Sequence, residues 1–150
     1  MFQSTKQYGH DLGLSCVFRQ ARANSHCNLL HGYSIGVKLV FECEVLDHNF
    51  WVVDFGCMKP IKEYLVRMFD HTLLVAQDDP MLDEITGLAG LGLADVRVVE
   101  QIGCEAFAKM IYTFVEDWMY DCGIAPRVWL VSCEVKEHGA NSAVFIGDDT

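Results

Sequence analysis

Residues 33–45 read YSIGVKLVFECEV, and the fold turns on them. Tyr33, Ile35, Val37, Leu39, Phe41, Cys43 and Val45 take every second position, with mostly polar residues between. Side chains alternate faces along an extended chain, so a period of two predicts a long strand with one buried face. Upstream, LGLSCVFRQAR (12–22) repeats the pattern, with Leu12, Leu14, Cys16 and Phe18 pointing one way. Downstream, LDHNFWVVDF (46–55) reads as a turn and a short return strand.

Beyond residue 55 the period changes. In GCMKPIKEYLVRMF (56–69), Met58, Ile61, Leu65 and Met68 recur at helical spacing, with lysines and Glu63 on the other side. Pro60 fits the first turn, where its missing N–H costs nothing. CEAFAKMIYTFVEDWMYDCG (104–123) predicts a stronger helix, with Phe107, Ile111, Phe114, Val115, Trp118 and Cys122 on one stripe and Gly123 as its stop. Two strands follow, RVWLVSCEVKE (127–137) and NSAVFIG (141–147), joined through HGA. Between the helices, residues 75–101 predict a short helix within an irregular segment, with Asp78–Asp79 as a solvated turn before Pro80. Strands at both ends and helices in the middle give an α+β class: a four-stranded antiparallel sheet with helices packed on one face. Without repeats, low-complexity runs or linkers, residues 1–150 read as one domain.

Composition narrows the function. The chain has 150 residues, 51% apolar and 21% charged, a globular balance. Its formal charge of −10 and the lack of any basic run exclude a nucleic-acid partner, since phosphate backbones need clustered Lys and Arg. No apolar run approaches the roughly 18 residues that cross a membrane, and MFQSTKQYGHDLG lacks a signal peptide's apolar core. Seven cysteines (Cys16, Cys27, Cys43, Cys57, Cys104, Cys122, Cys133) form no C-x-x-C pair. Most sit in apolar stretches, where a free thiol acts as a small hydrophobe, so a reducing cytoplasm is expected.

Polar residues gather at the ends of elements. They are Cys27 and His31 between the first strands, Asp70–His71 after the first helix, Glu105 opening the last helix, and Glu137–His138 closing a strand. CNLLHGY, VVDF, FDHTLL, CEAFA and VKEHGANSAVF follow one another in an order that resembles the 6-pyruvoyltetrahydropterin synthase family. The likeness runs over about residues 12 to 146. It is strongest to the 6-carboxytetrahydropterin synthases of queuosine biosynthesis, especially the short copies carried by phages. That resemblance implies a lyase acting on a dihydroneopterin triphosphate-type substrate, and a homo-oligomeric barrel (trimer or hexamer) with active sites between subunits. It implies that Cys27 is the proton-transfer base, that Asp70 and His71 relay protons and set its ionisation, and that Glu137 anchors the pterin ring. The chemistry suits these types: a thiol is a competent base as the thiolate, and a carboxylate accepts two parallel N–H bonds from a guanidine-like edge. Glu105 either reinforces that recognition or is simply a favourable acid at a helix N-terminus.

The chain departs from the family in its metal set. The resemblance implies zinc on three histidines, and His31 matches one. Tyr33 stands where a second belongs, and Arg22 where the first-strand histidine belongs. Arg22 is then a candidate fixed positive charge for the substrate, and His26 a substitute ligand. The segment between His71 and Glu105 is also longer than in the bacterial enzymes, leaving residues 75–102 without a role. Plainer readings stand beside these: Cys27 as one more buried thiol, Asp70–His71 as a helix end, and His10, His26, His48 and His138 as surface residues. Two other functions are compatible with the sequence, a pterin- or purine-binding oligomer without the zinc chemistry, and a barrel kept for structure alone.

Overall fold

The computed structural model describes residues 1–148; the last two positions of the expected 1–150 domain lie outside the described residues. Its spine is β3, His31–Cys43. Ile35, Val37, Leu39, Phe41 and Cys43 are fully buried, while Val45 lies past the strand's end and is exposed. Strands β1 (Phe2–Tyr8) and β2 (Leu14–Phe18) lie end to end along β3, antiparallel to it. β1 faces Val37–Cys43 and β2 faces His31–Ile35. On its other side runs β6 (Val128–His138), bulged where it passes Val40 and Phe41, and β7 (Asn141–Ile146) pairs with β6.

The expected four antiparallel strands are too few. β4 (Thr72–Ala76) runs parallel to β2, and β5 (Val96–Val99) runs parallel to β4, so the sheet has seven strands and is mixed. Helix α2 (Leu82–Gly90) connects these two strands and completes a wing beside the antiparallel body. In β4 Leu74 enters the main core, whereas Leu73 and Val75 pack against Ile85 of α2 on the opposite face. Helices therefore cover both faces of the sheet, not one. A parallel strand buried on both sides reads as a continuous apolar run without alternation, which is why TLLVA gave no strand signal.

The return strand expected within residues 46–55 is also absent. Val52 and Val53 are buried from an irregular segment, held by a hydrogen bond from Arg127 Nη2 to the Val52 carbonyl at 2.8 Å. Asp54 then accepts the Gly56 N–H at 2.7 Å and opens a one-turn helix, Phe55–Cys57, leading into α1 (Lys59–Phe69).

Helices α1 and α3 (Cys104–Asp121) pack together on the face of the sheet that carries Phe18 and Phe41. Phe107 of α3 meets Phe18 and Phe69, each at 5.3 Å between ring centres, and Tyr64 stacks on Phe114 at 3.9 Å. Gly123 stops α3 at φ +76°, as its sequence position suggests. The layer ends where Phe18, His31 and the first turn of α3 meet, and there the polar residues collect.

Candidate active site

The loop leaving β2 carries Cys27. Its thiol is half-buried on a one-turn helix, His26–Asn28, capped by Ser25, whose Oγ accepts the Cys27 N–H at 3.3 Å. Gln20 fixes this loop from both ends of its own residue. Its backbone N–H donates to the Cys27 carbonyl at 2.8 Å, and its Nε2 donates to the Ile102 carbonyl at 3.2 Å. The Cys27 loop is thus tied to the entrance of α3. Gly103 is needed at that entrance: its φ is +125°, and a Cβ there would stand 2.7 Å from Gln20 Nε2.

Tyr33 faces the same place from β3. Residues two apart on a strand share a face, and the Tyr33 ring meets His31 edge-on at 5.4 Å, with Phe18 at 5.8 Å and His138 at 6.2 Å. Burial raises the Tyr33 phenol above its ordinary value, and negative charge on Glu137, Cys27 and Cys104 raises it further. Burial also pushes the Cys104 thiol up to about 12, with Glu137 and Glu105 beside it adding to the shift. Cys27 from the loop, Cys104 from α3 and Glu137 from the end of β6 thus lie near enough to Tyr33 for their charge to act on its phenol, and Glu105 and Glu137 act likewise on Cys104. Both shifts favour the protonated forms of Tyr33 and Cys104 beside these carboxylates. By sequence Cys104 is one more thiol in an apolar stretch. Its one distinguishing mark is its place beside Glu105 at a helix start.

Other expected residues lie apart. His71 hydrogen-bonds Asp70 through Nδ1 at 2.6 Å, and its backbone N–H donates to the Ser15 carbonyl at 2.7 Å. Its side chain is 87% exposed, and no hydrogen bond joins it to Cys27 among the described residues. Arg22 turns toward the wing and pairs with Asp78, both side chains being largely exposed. Asp79 is no solvated turn: its side chain is 1% exposed and pairs with Arg19.

The donor set fits zinc poorly. His31 is bound through Nδ1 to the Leu29 carbonyl at 2.6 Å, leaving Nε2 as its free nitrogen, and Tyr33 offers only a phenol. His26 is exposed, and no group of three His, Cys, Asp or Glu residues comes together for a metal among the described residues. A catalytic zinc uses three protein ligands.

The sequence model of 6-pyruvoyl tetrahydropterin synthase matches residues 11–147. The chain belongs to the 6-pyruvoyl tetrahydropterin synthase family. It is 25% identical over 135 residues to the 6-carboxy-5,6,7,8-tetrahydropterin synthase of Aquifex aeolicus, covering 89% of this chain and 83% of that one. An uncharacterised protein of Wolinella succinogenes shares the fold with a TM-score of 0.83 at 17% identity, over 98% of both chains. The 6-pyruvoyl tetrahydropterin synthase of Plasmodium falciparum does so at 0.66 and 14%, over 95% of this chain and 96% of that one. No helix is long and apolar enough to cross a membrane among the described residues.

Proposed function

We propose that the chain is a pterin synthase-type lyase, converting a dihydroneopterin triphosphate-type substrate to a 6-substituted tetrahydropterin as 6-carboxytetrahydropterin synthases do. The observation that supports this is the convergence of Cys27, Tyr33 and Glu137 at one end of the core. Glu137 accepts the paired N–H donors of the pterin's amino-pyrimidine edge, with Glu105 as a second carboxylate at the same mouth. Cys27, as the thiolate, takes a carbon-bound proton from the substrate's side chain. The neutral Tyr33 phenol donates a hydrogen bond to a side-chain oxygen as negative charge develops there.

No hydrogen bond joins the Asp70–His71 pair to Cys27 among the described residues, and in this reading the pair of a neighbouring copy reaches it. Open strand edges support such an assembly. β1 pairs with β3 alone and β7 with β6 alone among the described residues, and Phe2, Val144 and Ile146 are exposed along them. A ring closed edge to edge, as a trimer or a paired trimer, removes those edges. All seven cysteines are free, which suits a cytoplasmic enzyme.

Dihydroneopterin triphosphate turnover by purified protein tests the reaction. Wild type is expected to form the 6-substituted product, and Cys27→Ala to lose roughly a hundredfold or more of the rate. Elemental analysis of the same tag-free sample is expected to find far less than one zinc per chain. No turnover and no stabilisation by neopterin would sink the reading; stabilisation without turnover would leave a pterin-binding protein.

A further inference from the structure

Residues 75–102 have a task that the functional reading leaves unassigned. Arg19, the residue after β2, sits between the Cys27 loop and the wing. Its Nε donates to Asp79 Oδ2 at 2.9 Å and its Nη2 to Asp79 Oδ1 at 2.7 Å, a two-pronged pair with the wing. Its Nη1 donates the other way, to Asn28 Oδ1 at 3.1 Å and to the Asn28 carbonyl at 3.2 Å. Asn28 in turn donates through Nδ2 to the carbonyls of Ala21 and Ala23, at 3.2 and 3.4 Å. The network encloses the loop from residue 19 to residue 28, and Cys27 sits next to its last member.

The chemistry of the pair makes it rigid. The Asp79 side chain is 1% exposed and that of Arg19 16%. Asp79 also accepts the Met81 N–H at 2.8 Å, which fixes its carboxylate to the start of α2. A planar guanidinium presents its N–H groups in a fixed fork, so gripping Asp79 with one edge sets the direction of the other. A lysine at this position would keep the charge and lose the geometry. The neighbouring Arg22–Asp78 pair is exposed and screened by water, and contributes little to this.

We infer that Arg19 is a positioning residue for Cys27, and that the wing serves the site by presenting Asp79 to it. This rests on the reading of Cys27 as the reactive thiol. Glu137 lies on β6, and no hydrogen bond joins it to the network among the described residues, so pterin anchoring and thiol placement are separable.

The test is iodoacetamide alkylation of the full chain under native conditions, resolved by cysteine with mass spectrometry across pH 6 to 9. Cys57 and Cys122, both exposed, serve as internal references. In Arg19→Lys and in Asp79→Asn, Cys27 is expected to react roughly tenfold faster as its loop opens locally, with both reference rates unchanged. Combining the two substitutions is expected to add little, because they break one network. Neopterin affinity is expected to stay within about twofold of wild type. An unchanged Cys27 rate overturns the inference. So does a rise shared by Cys57 and Cys122, which would mean general loosening, or a parallel loss of neopterin binding, which would mean that the pair holds the whole site. The alkylation readout needs no pterin, so a wild type that fails to bind neopterin would count against the proposed function alone.

Discussion

The antiparallel body and the parallel wing are held together by different means. In the body, α1 and α3 close over β1, β2, β3, β6 and β7, and the core is a broad apolar cluster centred on Phe18, Phe41, Phe69 and Phe107. On its far face the wing has only Leu73, Val75 and Ile85 fully buried, with Val17, Leu82, Leu88, Ala94 and Val96 partly covered around them. Burial of a large apolar side chain contributes about 1.5–3 kcal/mol, so the body has far more to draw on. What the wing lacks in apolar area it replaces with direction, through the Arg19–Asp79 pair. The wing thus points at the Cys27 loop, and the body keeps the chain folded.

Substitutions on each side can break that contrast. Phe107→Ala, at a fully buried ring meeting two others, is expected to cost about 3–5 kcal/mol in denaturant unfolding, with all signals lost together. Asp79→Ala is expected to cost roughly 2–3 kcal/mol. That is below the usual loss for a fully buried pair, because the orphaned Arg19 can still reach water. Ile85→Ala is expected to cost about 2 kcal/mol. Hydrogen exchange should then speed up at the amides of Leu73 in β4 and Gln77 just past it, which bond to Asp95 and Val99, and not along β3 and β6. Equal speeding in both regions would erase the distinction between wing and body.

The smallest effect is one of pH. The Arg19 guanidinium holds the Asp79 carboxyl below its ordinary value. A depressed carboxyl adds stability that is complete above its unfolded value of about 3.9, and that is lost as pH falls through the lower folded value. The stability gap between wild type and Asp79→Asn should therefore be constant from pH 5 to 7 and narrow below about pH 4. A gap that persists unchanged in acid would mean that the pair contributes shape and no charge.

How much of this the sequence discloses depends on where each residue's partners lie. β3, α1, α3, β6 and β7 are legible because one face of each is buried, and burial on one face writes a period. β1 is not, since FQSTKQY is an edge strand with only Tyr8 buried, and it reads as polar chain. β4 hides for the opposite reason, being buried on both sides, and β5 is only Val96–Val99. Val52 and Val53 mislead in the other direction, because a loop can bury two valines as a strand would. In the site, Cys27 and Glu137 are near enough to Tyr33 for their charge to act on it, and their motifs bear the family likeness. Asp79 could not be read, because its partner lies 60 residues earlier and nothing local distinguishes a buried aspartate from a solvated one.

Asp79 stands before α2, at the near end of the wing. From Leu82 to the exposed Leu91 and Leu93, no hydrogen bond joins α2 or the turn after it to the Cys27 loop among the described residues. Extra residues in the turn after α2 leave both the Arg19–Asp79 pair and the β4–β5 pairing in place. The same freedom makes the Leu91–Leu93 turn the natural point for grafting a peptide or a fluorescent reporter into this chain.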